Sequence, residues 1–438
     1  MHLTPKWSFH KYLTDRDCGL HSKLELSRHQ EAFLKDLRSQ SRMRIREVFT
    51  EAKDVIRDVE KMQNAESREM RMYNAIKSKS SFQHLDPQLF SVLISLASNM
   101  DNDERNAFLK IRPKFRTQGS FEYKTLNVPY RKPPQEMDID DGVYFPMQMF
   151  DGAPALTHRL MIALVDSALQ SLAFENEGWD FDDSKPTCAR IRIKERNVHL
   201  DVPMYAVPEE KYEQMMESLA SLKLRADYTV TNDAWSLSEQ TLLDRDCVHL
   251  ARRDKDKWQK SDPQVVQQWF TDSVKEVGEH LRLACRFLKA WRDVCWPDGG
   301  GPSSIALMKC TVDTLGNSLL DGKDLGLVMA EVIDKLPEQL SNGVESPDPS
   351  DQRPLFPDIS QHNNKEREIL TATKYLQSQF VAASTAQTKD ECTSLLRSIF
   401  GERGISVELI TVLAAAKVYN SPAQISEPAK IDRTMKSG

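Results

Sequence analysis

The sequence predicts an α+β fold in two parts, a mixed strand-and-helix first half and an all-helical second half. Three observations carry this expectation. Segments 189–193 and 198–202 alternate apolar and polar residues as half-buried strands do. From about residue 260 onward the apolar residues instead recur at helical steps. The length, 438 residues, exceeds one domain at ~150 residues each and leaves ample chain for a buried core.

In chain order, residues 27–77 are dense in helix formers. Val48, Ala52, Val55, Ile56 and Val59 stand at helical spacing, with Arg38, Arg42, Arg44 and Arg46 on the approach. Residues 86–110 read as one or two further helices. Residues 115–144 read as strand, turn and strand, broken by Gly119 and by a Pro-rich loop at 129–134. Residues 155–174 are helical. The strands at 189–193 and 198–202 follow, and the character changes after 208–212. Phe270, Val274, Val277, Leu281, Ala284, Leu288 and Trp291 read as the apolar face of one long amphipathic helix. Gly299, Gly300, Gly301 and Pro302 stop it, and Ser303 or Ser304 opens the next. Residues 319–336 read as helix, 345–364 as a loop rich in Pro and Asp, and two more helices precede a polar tail from 422. The expected domains are 1–215, 216–421 and a tail at 422–438.

Composition removes several function classes. Lys plus Arg number 59 against 65 Asp plus Glu, a net charge of −6, which is unfavourable for a non-specific nucleic-acid coat. A local basic pocket for small phosphorylated ligands remains compatible with it. The first residues have no apolar stretch ahead of a small-residue cleavage site, and no run approaches ~18 apolar residues. Cysteines 18, 188, 247, 285, 295, 310 and 392 are scattered without a CxxC pair, so neither a disulfide framework nor a zinc site is expected. The expectation is a cytoplasmic protein with no membrane association.

The chemistry-bearing residues cluster. Gln118-Gly119-Ser120 precedes Asp138-Ile139-Asp140. In a strand, residues i and i+2 share a face, so the two aspartates project side by side while Ile139 turns to the core. Glu136 shares their parity and Asp141 has the opposite one. Adjacent carboxylates repel unless a cation sits between them, and hard oxygen ligands favour Mg²⁺ or Mn²⁺. Gly119 permits close backbone approach, and a hydroxyl and free N–H groups at a helix start at Ser120 would face an anion. A third acid, Asp201, alternates with Val198, Leu200 and Val202 in a strand of its own. Alone, a DxD is usually a solvated turn. The ordered set of Gly-Ser, DxD and a strand Asp is far more specific.

These residues stand in the strings TQGSFEY, QEMDIDDG and HLDVPMYA, and with RFLKAW, GGPSSI and VESPD they resemble the bacterial cGAS/DncV-like nucleotidyltransferases across essentially the whole chain. The resemblance implies a bilobed fold: a polymerase-β-like nucleotidyltransferase core, a mixed sheet with helices, plus a C-terminal all-helical lobe, with the site in the cleft between them. It implies that Asp138 and Asp140 hold two Mg²⁺ ions and the triphosphate, that Asp201 completes the catalytic site and helps take the proton from the attacking 3′-hydroxyl, and that Gln118 and Ser120 contact phosphates. Tyr123 matches a base-stacking aromatic, Arg190 a nucleotide-contacting arginine, Lys289 and Ser304 phosphate ligands, and Asp351 a base-reading acid. The Gly turn before Ser304 is one residue longer than in the family. By spacing alone, the Arg282, Arg286 and Lys289 stripe reads as a solvated face.

The activity implied is synthesis of 3′,3′-cyclic GMP-AMP from ATP and GTP, a second messenger of anti-phage signalling that reaches a separate effector. Other cyclic di-purine products, such as c-di-AMP or c-di-GMP, and a catalytically silent nucleotide-binding regulator are the alternatives. A template-independent RNA nucleotidyltransferase would need a basic track that the −6 balance disfavours. Arg38, Arg42 and Arg46 fall at i, i+4 and i+8 on one helix face, either solvated or a pocket for an anionic regulator. Gly438 fits a family habit of conjugation by an E1/E2-like partner acting on the C-terminus.

Overall fold

The computed structural model describes residues 5–62, 66–150, 153–154, 156–210, 212–213, 248–255, 257–261, 263–320, 322–349 and 351–413. The expected boundary at 215/216, the tail from 422 with Gly438, and Cys247 lie outside them. The other six cysteines are free thiols. No helix among the described residues is long and apolar enough to cross a membrane.

The chain opens with β1 (Trp7–Ser8), α1 (His10–Thr14), α2 (Leu20–Leu24) and α3 (Arg28–Lys61). α4 (Arg68–Lys77), α5 (Pro87–Asn99) and α6 (Asn102–Lys110) follow. Next come β2 (Lys114–Gln118), the single turn α7 (Gly119–Glu122) and β3 (Met137–Met147). β4 (Met149–Phe150) and β5 (Ala153–Pro154) lead to α8 (His158–Glu175). β6 (Trp179–Asp182), β7 (Cys188–Ile193), β8 (Val198–Pro208), β9 (His249–Leu250) and β10 (Gln259–Lys260) complete the sheet. The helical half runs α9 (Pro263–Val277), α10 (His280–Cys295), α11 (Ser304–Leu315), α12 (Leu325–Asn342), α13 (Asn364–Thr385) and α14 (Lys389–Phe400). β11 (Thr411–Val412) then returns to pair antiparallel with β1.

Local rules explain the long helix. Ser27 and Gln30 close a reciprocal capping box that satisfies two free N–H groups at the start of α3. Its buried residues, among them Leu34, Leu37, Ile45, Val48, Ala52 and Val55, recur every three or four positions. They pack, with α8, on the sheet face that carries Ile139, Val143 and Phe145. Phe49 stacks on Phe145 at 5.2 Å between ring centroids. The sheet order is β10-β9-β8-β3-β2, with β7 also on β8 and β6 on β7. β3 and β8 run parallel while β2 and β7 are antiparallel to them, which makes the sheet mixed. Helices cover one face, so the opposite face of β3 and β8 is left for the site.

The structure departs from the sequence expectations in three places. The helix expected across 270–291 is two: Gly278 takes φ +112°, a backbone that L side chains rarely adopt, and α9 ends there. The helix expected over 319–336 starts later, at Leu325, because the Asp324 carboxylate caps the N–H groups of Gly326 and Leu327. The third departure concerns the first residues. Trp7, Phe9, Tyr12, Leu13, Leu20 and Leu24 pack in the core of the helical half, although the sequence assigns them to the first lobe. Phe9 meets Phe380 edge-on, 5.2 Å apart at 84°. The N-terminus is thus a strap across the helical lobe. Replacing the buried Phe9 by Ala is expected to cost about 3–5 kcal/mol in urea unfolding, with the loss read in the helical lobe.

Candidate active site

Strand alternation places the acids. Met137 and Ile139 of β3 are buried on the helix side, and Asp138 and Asp140 emerge on the other. β8 lies parallel to β3 with Asp138 opposite His199 and Asp140 opposite Asp201. β7 then brings Arg190 opposite Asp201 and Arg192 opposite His199. On the far side of β3, Gln118 ends β2 opposite Asp140, and the chain turns immediately into α7. Gly119 makes that turn possible. Its φ is +66°, and a Cβ there would stand 2.0 Å from Asp140 Oδ2. The sequence therefore needs Gly at 119 for both backbone conformation and room for the carboxylate.

The three carboxylates are in three different electrostatic states. Asp201 is buried, which alone would raise its pKa. Arg190 Nε and Nη2 donate to its two oxygens at 2.5 and 2.8 Å, and Lys185 Nζ adds a bond of 2.7 Å. These donors outweigh burial and hold its carboxyl below the ordinary range. Asp138 is half-buried and receives His199 Nε2 at 2.9 Å from its Oδ1. Oδ1 is closed to solvent, and the His199 ring nitrogen is the polar group that reaches it. Asp140 has no hydrogen-bond donor among the described residues. Burial, then the charges of Asp138 and Asp201, push it up to about 8. A carboxylate oxygen each from Asp138 and Asp201 and a ring nitrogen of His199 lie within 4.8 Å of one another. Two carboxylates side by side, one of them raised by burial and by its acidic neighbours, are what a divalent cation would relieve, so the residues fit one.

Asp138 and Asp140 form part of one wall of a cleft of about 480 Å³, with Asp201 buried outside its lining. Gly119, Ser120, Tyr123, Asp138 and Asp140 line it on the sheet side, and Lys289, Arg292 and Ser304 on the side of α10 and α11. The basic stripe of α10 is not a solvated face. Arg286 and Lys289 are buried, and the segment after α7 runs along them. Arg282 donates to the Tyr123 carbonyl, Lys289 Nζ to the Thr125 carbonyl at 2.8 Å, and Arg286 exchanges two hydrogen bonds with Asn127. Burial, then Arg292, lower Lys289 to about 8. The longer glycine turn resolves cleanly. Ser303 caps α11 by accepting from Ala306 N–H, and Ser304 faces the cleft and accepts from Arg292 Nη1 at 2.8 Å.

Other expected residues lie elsewhere or do something else. The Gln118 side chain turns along the sheet, donating to Tyr144 Oη at 2.7 Å, and is not part of the cleft wall. Arg190 is bound to Asp201 rather than presented to the cleft. Tyr123 lines the cleft but also packs on Phe270, ring centroids 5.7 Å apart. Asp351 is not brought to the cleft and pairs with Arg353 at 2.8 Å. On the opposite face of the sheet, Arg42 pairs with the buried Asp141, Arg38 donates to Thr117, and Arg46 lies 4.7 Å from the Phe115 ring centre. The sequence missed Lys185, His199 and Arg292. His199 alone carried a signal, since it shares the parity of Asp201.

Asp140 gives the site a pH signature. Its folded pKa of about 8 stands above the ordinary carboxylate value of 3.8, so the folded state holds a proton that the unfolded chain releases. Its contribution to stability is complete below that lower value and is lost as pH rises to about 8. In chelator, the melting temperature of Asp140→Asn is expected to gain on wild type from pH 5 to 8 and to hold a constant lead above that. Melting curves across pH 5–9 check this.

Comparison with known proteins matches this geometry to a family. Residues 113–205 match the nucleotidyltransferase domain of the DncV-like cyclic GMP-AMP synthases, and residues 278–413 match the cyclic GMP-AMP synthase C-terminal domain. The chain is 40% identical to a cyclic GMP-AMP synthase of Vibrio cholerae serotype O1, over 99% of both chains. It is 40% identical to one of Escherichia coli, over 99% of this chain and 100% of the other. Among solved structures, the Vibrio cholerae dinucleotide cyclase DncV (mutant) in complex with ATP, GTP and 5MTHFGLU2 superimposes with a TM-score of 0.84 at 40% identity, covering 93% of this chain and 100% of that one. The same enzyme with a linear intermediate gives 0.84 at 39% identity, covering 94% and 100%. The chain therefore belongs to the DncV-like cyclic GMP-AMP synthase family of nucleotidyltransferases.

Proposed function

We propose that this chain makes 3′,3′-cyclic GMP-AMP from ATP and GTP by two successive nucleotidyl transfers dependent on Mg²⁺. The supporting observation is the placement of the Asp138/Asp140 pair and of Lys289, Arg292 and Ser304 on facing walls of one cleft. Bound divalent cations, two in the family pattern, would supply neutralisation and polarisation of the transferring phosphoryl group.

Asp138 and Asp140 hold that charge, and Gly119 lets the chain pass close enough for Ser120 to face a phosphate. Lys289 and Ser304 take the phosphates of the second nucleotide, whose negative charge favours the ammonium form of Lys289. Tyr123, on the cleft wall, stacks on a base. Asp201 is better suited to holding positive charge than to taking a proton. Arg190 and Lys185 depress its carboxyl, and a general base works best with a pKa near the working pH. The attacking 3′-hydroxyl then loses its proton to solvent or to a group of the nucleotide. In the same proposal the product is a messenger of anti-phage signalling that acts on a separate effector, and Gly438 is the conjugation point for an E1/E2-like partner, both on family resemblance.

Incubation of the protein with ATP, GTP and Mg²⁺, followed by chromatography, is expected to give pyrophosphate and a cyclic dinucleotide with one adenine and one guanine. Asp138→Ala with Asp140→Ala is expected to lose at least ~100-fold of that activity. A product with two identical bases would move the assignment to c-di-AMP or c-di-GMP. Nucleotide binding with no product would favour a silent regulator.

A further inference from the structure

Two charged rungs cross the sheet at the cleft. The first runs Arg190, Asp201, Asp140 and belongs to the expected acid set. The second runs Arg192, His199, Asp138, and its middle member has no role in the mechanism above. The second rung is built along its whole length. Arg192 reaches Asp182 at 3.8 Å and Glu136 Oε2 at 3.3 Å. The same Glu136 oxygen lies 2.9 Å from His199 Nδ1, and His199 Nε2 lies 2.9 Å from Asp138 Oδ1. A carboxylate at each ring nitrogen fixes the plane of the imidazole. Its side chain is 12% exposed and cannot swing out to water without leaving both. Among the described residues, His199 is the one basic side chain within ion-pair distance of Asp138, whose own side chain is 41% exposed. Asp138 therefore has no other holder.

We propose that His199, oriented by Glu136, is the positioning residue of Asp138, setting the rotation of that carboxylate so that it meets a divalent cation in one geometry. The proposal rests on the metal-dependent reading above. His199 as a cation ligand in its own right is disfavoured because both ring nitrogens already face carboxylates. Partners that orient a metal-binding carboxylate typically change metal affinity 10–100-fold when removed.

The test uses the full-length chain and equilibrium Mn²⁺ binding, read by the electron paramagnetic resonance of free Mn²⁺, with no turnover. Wild type, Asp138→Asn, His199→Leu, His199→Gln and Glu136→Gln are compared, with thermal melts in chelator to confirm folding. His199→Leu is expected to weaken Mn²⁺ about tenfold or more, and His199→Gln, which keeps a donor for Asp138, to stay within about threefold of wild type. Glu136→Gln is expected to fall between them, and the Mn²⁺ concentration for half-maximal product formation to shift in the same order. If His199→Leu does not fold, the order of wild type, His199→Gln and Glu136→Gln carries the test. Unchanged Mn²⁺ binding in His199→Leu overturns the proposal. So does a loss in His199→Leu that Glu136→Gln does not share, which would make His199 act on its own. Failure of wild type to bind Mn²⁺, or binding undiminished in Asp138→Asn, would instead overturn the metal-dependent reading itself.

Discussion

Everything at the cleft depends on one constraint, the crowding of three carboxylates on two neighbouring strands. Asp138, Asp140 and Asp201 project from the same face of β3 and β8, two of them directly opposite in register. Like charges this close cannot all ionise without compensation. The sheet resolves the conflict unequally. Two cations from β7 and its preceding loop satisfy Asp201, a histidine contacts Asp138, and Asp140 is left with burial and repulsion. A protein selected for stability alone would have little reason to keep Asp140, because a partly buried carboxyl without a donor, beside two others, is costly. In the proposed function, a cation would offset that cost.

The second wall follows from the segment that leaves the first. After α7 the chain must return to β3, and it does so along α10. Backbone carbonyls of Tyr123 and Thr125 and the Asn127 side chain take donors from Arg282, Lys289 and Arg286. Gln135 donates to the Asp293 carbonyl at 2.6 Å near the end of the segment. The same helix that anchors this segment thus presents Lys289 and Arg292 to the cleft. Positioning of the acids and of the basic wall is therefore mechanically linked, since both hang on residues 119–135. The strap of β1, α1 and α2 across the helical core braces that lobe from outside.

Much of the site was legible in the sequence because strand alternation is a short-range rule. Ile139 between two aspartates already stated which side faced the core, and Asp201 followed from the same parity. What was not legible depends on register between strands distant in sequence. His199 has the parity of Asp201, but only the pairing of β8 on β3 sets it beside Asp138. Lys185 sits in a loop and carries no periodic mark. The basic stripe of α10 looked solvated because charge spacing on a helix does not reveal what packs on it. The docking of Trp7–Leu24 left no trace either, since a two-residue strand and two five-residue helices are too short for a period. Gly278 could have been read as a break, but an apolar rhythm continued across it. The Asp351 loop carries a family motif, yet its carboxylate pairs with Arg353 two residues on, a local contact that no motif announces.

The central proposal is that the Asp138/Asp140 pair takes a divalent cation, which would relieve the burial and repulsion that raise the Asp140 carboxyl. Calorimetric titration of the protein with Mn²⁺ at pH 7, repeated in buffers of different ionisation enthalpy, reads the protons released per ion bound. The expected result is a release approaching one proton at pH 7 that fades above pH 8, as the Asp140 carboxyl at about 8 becomes ionised before the ion binds. Binding with no proton release at pH 7, or release that does not change with pH, would contradict the account.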